Sequence, residues 1–171
     1  MVLLQSLPLT LFLIILRTAP PKTPVDWQMP FMACGAAALL VTAVPVVKKV
    51  RLNRLFLGIN LYFFTGGLAF VTHQFWLNNI YGHLTASGIL LWIAAVGLVT
   101  TVSSPTGFIG EDHPDKQLVK KYSGMLIAAT LAAAALSYIF RDSHLLSEII
   151  PFTGLFICYG ILKNKLTERN R

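Results

Sequence analysis

The chain has 171 residues, 55% of them hydrophobic and only 12% charged, which leaves too little polar surface to cover a water-soluble domain of that length. Its net charge of +7 comes from 14 Lys and Arg against 7 Asp and Glu. The basic residues sit in short clusters between apolar runs, with no continuous basic stripe and no interleaved aromatic platform. That pattern argues against nucleic acid as a partner and for loops held against anionic lipid headgroups.

In chain order, the first apolar run covers residues 2–16 and ends at Arg17, ahead of the helix-stopping pair Pro20 and Pro21. It has no basic leader, and Thr18, Ala19, Pro20 and Pro21 offer no small-x-small cleavage site, so a retained helix is expected rather than a secretory signal. At 1.5 Å per residue it reaches roughly 22 Å, short for a full crossing, and Pro8 makes a bend plausible. Five further runs follow, at residues 30–47, 55–72, 84–103, 122–140 and 145–162, uncharged apart from Glu148. Each approaches the roughly 20 residues that a bilayer requires. A single segment in hydrocarbon must satisfy its own backbone hydrogen bonds, so these runs are expected to be helical. The expected fold is all-α: a polytopic transmembrane helix bundle of about six spans, five if the first run does not cross, forming one domain over residues 1–171. The connections read as short except for residues 104–121, where Pro105, Gly107, Gly110 and Pro114 point to an irregular surface loop.

Sidedness follows from the positive charges. With six spans, one side carries Lys48, Lys49, Arg51, Arg54, Lys116, Lys120, Lys121, Lys163, Lys165, Arg169 and Arg171, and the other only Arg17, Lys22 and Arg141. Basic residues collect in cytoplasmic loops, so both termini are expected inside, the amino terminus moving outside if the first run does not cross. Trp27, Phe75, Trp76 and Tyr81 then fall at the outer interface, where amphipathic rings prefer to sit.

Apolar burial does not drive helix association in lipid, so close backbone approach must. Gly124, Ala128 and Ala132 form a stripe of small residues on the fifth span. It is expected to mediate helix packing within the bundle, with self-association or a partner helix as the alternative. Gly35 to Ala38, Gly66 with Gly67, and Ala94 with Gly97 offer further contact points.

Few residues could carry chemistry. Glu148 lies four residues after His144, on one helical face. On the expected topology that face lies level with His73 and His83, at the ends of the hairpin made by the third and fourth spans. Imidazoles with a carboxylate suit zinc or copper, or a proton relay, so His73, His83, His144 and Glu148 form a speculative metal set. The bland alternative is interfacial polar residues satisfied by water and headgroups. Glu111, Asp112, His113 and Asp115 could bind a hard cation, but they lack a calcium-loop pattern; a solvated turn capping a helix near Asp115 is the expectation. Asn60 is expected to form an interhelical hydrogen bond. Pro45 and Pro151 lie near helix ends. Cys34 and Cys158 lie in apolar runs without metal-ligand spacing. No HExxH, GxSxG, Walker or GxGxxG pattern occurs, so neither catalysis nor a cofactor is expected.

The Leu7-Pro8 opening, the alanine-rich second span closed by Lys48 and Lys49, and the stretch Gly66-Gly67-Leu68-Ala69-Phe70 with His73 just beyond resemble the intracellular septation protein A family of small bacterial inner-membrane proteins. The stretch from Gly110 to Asp115 departs from that family. The resemblance implies a non-enzymatic accessory or scaffold role in cell-envelope maintenance or division, through contacts with other membrane proteins or a second copy. The competing expectations are an oligomeric transporter of small solutes or ions, and a metal- or haem-binding protein using the outer-face histidines.

Overall fold

A computed structural model describes residues 2–48, 50 and 52–168, and no strand occurs among them. Lys49, Arg51, Arg169 and Arg171, four cations of the sidedness argument, lie outside the described residues. The chain is built as two compact units, Met1–His83 and Leu84–Arg171.

The first unit holds α1 (Val2–Gln5), α2 (Leu7–Thr18), a 3-10 turn (Pro24–Trp27), α3 (Gln28–Val47), α4 (Arg54–Val71) and α5 (Phe75–Leu84), the last ending at the boundary between the units. The second holds α6 (Ala86–Ser103), α7 (Lys116–Ile139), a π-turn (Leu145–Ile149) and α8 (Ile150–Glu168). Five segments are long and apolar enough to cross a membrane: Val25–Val47, Arg54–Val71, Ala86–Ser103, Lys116–Ile139 and Leu145–Glu168. They match the five strong apolar runs of the sequence, and the chain is a multi-pass, membrane-type helix bundle.

Beside its apolar core the chain encloses several polar side chains while large apolar ones face outward. Gln5, Asn60, Ser123, Thr130 and Ser137 are fully enclosed, while Val47, Val102 and Ile139 are 81%, 87% and 69% exposed. Water would penalise that arrangement and acyl chains favour it.

The first apolar run breaks at Ser6. Pro8 has no N–H, and its ring crowds the carbonyl four residues back, so the helix restarts with the proline in its first turn. The 12 residues of α2 reach only about 18 Å. The buried Gln5 nevertheless fixes the path of this segment. Its Oε1 accepts the Asn53 backbone N–H at 2.9 Å, and Asn53 in turn caps α4 by accepting the Leu55 N–H at 3.0 Å. Farther along, the Phe12 ring lies 4.8 Å from Phe63 and 6.2 Å from Trp27. Helix α2 therefore starts at the Lys48–Arg54 end, runs parallel to α4, and hands the chain to α3 for the return.

The contact between α3 and α4 is backbone against backbone. A methyl group on Gly67 would stand 2.7 Å from the Phe31 carbonyl oxygen, and one on Gly35 would stand 2.9 Å from the Phe63 carbonyl oxygen. Around this crossing Phe12, Phe31, Tyr62, Phe63, Phe70 and Tyr81 form a continuous aromatic core, with Phe31 5.7 Å from Tyr62 and 6.0 Å from Phe70.

Two connections differ from expectation. Between the third and fourth spans the chain forms the ten-residue helix α5 rather than a plain hairpin turn. The expected surface loop after α6 shortens to residues 104–115, and it folds inward: Phe108 and Ile109 are fully buried. The Phe108 ring covers Gly97 of α6 beside Ile127 of α7, and the Ile109 N–H donates to Ser123 Oγ at 3.3 Å. Gly107 and Gly110 have φ of 53° and 79°, a left-handed backbone that glycine adopts without strain and that turns the apolar pair toward the helices.

Gly67→Ala should lower the unfolding midpoint in mild detergent by the equivalent of about 1–3 kcal/mol, because backbone atoms on α3 have no room to yield. Gly160→Ala, whose added methyl meets no atom within 4 Å, should hold or slightly raise the midpoint. Equal midpoints for the two variants would contradict the close α3–α4 crossing.

Candidate functional site

The four residues of the speculative metal set divide between the units, His73 and His83 in the first, His144 and Glu148 in the second. Among the described residues no group of three or more His, Cys, Asp or Glu stands close enough to hold a metal ion. The one direct contact within the set is His144 Nδ1 to Glu148 Oε2 at 3.0 Å, with the side chains 74% and 42% exposed. This is the pairing that the four-residue spacing predicts. It sits on the π-turn, whose origin is Pro151: with no N–H at 151 the turn widens, and the Ile150 N–H reaches back five residues to the Leu145 carbonyl.

His73 has a structural task that its sequence position did not disclose. It follows Thr72, the C-cap of α4, with φ of 57°. Its N–H donates to the Phe70 carbonyl at 3.3 Å, and the Gln74 N–H donates to the Ala69 carbonyl at 2.8 Å. That is a Schellman cap with histidine where glycine is usual. The imidazole lies edge-on to Phe75 at 5.8 Å. His83 is exposed in the last turn of α5.

The acidic loop disperses its side chains. Glu111 pairs with Lys163 of α8 at 2.8 Å, and Asp112 pairs with Lys116 at 2.7 Å. Asp115 caps α7, its Oδ1 accepting the Gln117 and Leu118 N–H groups at 2.9 and 3.0 Å. The capping expectation at Asp115 is met, and these carboxylates turn to separate partners instead of converging on one point. His113 is not solvated as expected. It is buried, with Nδ1 accepting the Asp115 N–H at 3.0 Å.

Inside the first unit, Asn60 Nδ2 donates to Thr42 Oγ1 of α3 at 3.4 Å, the interhelical bond expected of it. Tyr81 corrects an expectation. Phe75 and Trp76 are exposed, as interfacial rings should be, but Tyr81 points inward. Its ring lies 4.4 Å from Tyr62, and its hydroxyl meets Thr65 Oγ1 at 2.7 Å, which anchors α5 along the C-terminal half of α4.

The expected packing stripe is Gly124, Ala128 and Ala132 of α7. All three are exposed, and nothing lies within 4 Å of a methyl added at Gly124. The buried face of α7 is instead Ser123, Leu126, Ile127, Thr130, Ala134 and Ser137. Ser123, Thr130 and Ser137 recur every seven residues, a signal present in the sequence but outweighed there by the Gly/Ala pattern. Of the other small-residue contact points, Gly35, Ala38, Gly66, Gly67, Ala94 and Gly97 are buried as expected, whereas Ala36 is exposed and Ala37 half-buried.

Comparison of the chain with protein-family models, with curated proteins and with solved structures returned no match.

His73→Gly should leave the unfolding midpoint unchanged or raise it by up to about 1 kcal/mol, since it relieves a left-handed non-glycine residue. His73→Val should lower it, because a β-branched residue resists that backbone. If the two variants melt alike, His73 is not serving as the cap.

Proposed function

We propose that this chain is a non-enzymatic, multi-pass protein of the bacterial inner membrane that serves as an accessory or scaffold of cell-envelope maintenance or division, working through helix and loop contacts with other membrane proteins or a second copy. The observation that carries this reading is where the small residues lie. Each unit is filled from within, the first by its aromatic core and the second by the Phe108–Ile109 insertion and the hydroxyl face of α7. The stripe suited to closest helix approach, Gly124, Ala128 and Ala132, remains on the outer surface. The half-buried Thr65 and the buried Thr130 hydroxyls are bonded to carbonyls of their own helices, so these two offer little to a solute. The resemblance to the septation protein A family points in the same direction.

The carboxyl terminus is assigned to the cytoplasm by the charge asymmetry, to which Lys163 and Lys165 at the end of α8 contribute. The Gln5–Asn53 bond supports the same side for the start of α2, in line with an amino terminus inside.

Photo-crosslinkers at Gly124, Ala128 and Ala132 should capture a defined membrane partner or a self-dimer in native membranes, and crosslinkers at the inward Ser123 and Thr130 should yield only intramolecular products. Diffuse labelling from the outward positions would count against a scaffold. Saturable solute or ion flux into proteoliposomes would replace it with the transporter reading.

A further inference from the structure

We propose that the notch between the end of α2 and the start of α3 is a binding site for an anionic phospholipid, whose acyl chain lies in the notch and whose phosphate meets Lys22. This goes beyond the scaffold reading and does not depend on it.

The notch is a consequence of helix length. From Gln5, held at the Asn53 end, to the end of α2 at Thr18 the chain has 14 residues against 20 in α3, so a shortfall of about 9 Å falls toward the Trp27 end. Residues 19–23 leave α2 without continuing it, so past Ile15 and Ala19 no further turn of α2 covers this side of α3. What remains is an open cavity of about 830 Å³, within the range of small-molecule pockets. Ile15, Ala19, Val25, Met29, Met32 and Ala33 give it apolar walls. The two methionines are flexible and polarizable, suited to a chain without fixed shape.

Its rim carries Lys22 and Asp26, which do not neutralise one another as an ion pair. Asp26 Oδ2 accepts the backbone N–H groups of Lys22 and Thr23, at 3.0 and 2.8 Å. The Lys22 ammonium makes no ion pair among the described residues. An exposed cation above an apolar slot complements an amphiphile with an anionic head. A packed transmembrane helix is a poorer occupant, because it needs a contact along a whole span rather than about 9 Å.

The test is native mass spectrometry of the full chain released from mixed phosphatidylglycerol and phosphatidylcholine nanodiscs. The wild type should retain one phosphatidylglycerol in preference to phosphatidylcholine. Lys22→Gln, at an exposed position, should reduce that preference about five-fold. Ala33→Phe, which fills the notch, should abolish retention while leaving the unfolding midpoint in lipid-free detergent unchanged. Equal retention of the two lipids, or equal phosphatidylglycerol retention by Lys22→Gln and wild type, would overturn the proposal. So would a dimer that Ala33→Phe disrupts, because the occupant would then be a second copy. If Ala33→Phe does not fold, the Lys22→Gln comparison decides alone.

Discussion

In hydrocarbon no water is present to bond an open N–H or carbonyl, and the backbone of the described spans is arranged around that constraint. Helices answer it for the main chain. The hydroxyl side chains answer it in the same way: Thr65, Thr72, Thr100, Thr101 and Thr130 each donate to a carbonyl four residues earlier, so a polar residue is carried through apolar surroundings without a partner helix. Where the helical ladder must stop, a specific device closes it. Asn53 and Asp115 cap α4 and α7, His73 completes a Schellman turn, and in the π-turn before Pro151 the Ile150 N–H bonds the Leu145 carbonyl.

Once the backbone is closed, lipid and protein interior are equally apolar, and association falls to shape. The two units solve this differently. In the first, Gly35 and Gly67 let two backbones touch, and large rings fill the space beside that crossing. In the second, Gly97 leaves a hollow that Phe108 occupies from the loop, with Ser123 bonding the loop backbone and the Glu111–Lys163 pair tying it to α8. The loop is thereby made part of the packing, at the basic end where positive charges on α7 and α8 gather.

The pattern of legibility follows from the same physics. Span positions were readable because hydropathy over about 20 residues reports the cost of burying polar backbone and charge. Local pairs such as His144–Glu148 and the Asp115 cap were readable because they depend only on spacing along one helix. Rotation about a helix axis was not readable: with apolar residues favoured on both faces, nothing in composition distinguishes the lipid side of α7 from its core side. The sequence pattern marks Gly124, Ala128 and Ala132 but not the buried Ser123 face of α7, and it places Tyr81 at the interface although Thr65 and Tyr62 draw it inward. The insertion of Phe108 and Ile109 and the burial of His113 were hidden for another reason, since loop glycines and prolines signal irregularity without its direction.

Both functional proposals rest on lipid being the solvent of the outward Val, Leu and Ile side chains. The most direct measurement is alkaline carbonate extraction of membranes from cells expressing the full chain, followed by sedimentation. The account predicts that the protein stays in the membrane pellet and leaves it only with detergent. Recovery of a compact, monodisperse monomer in the aqueous supernatant would contradict it.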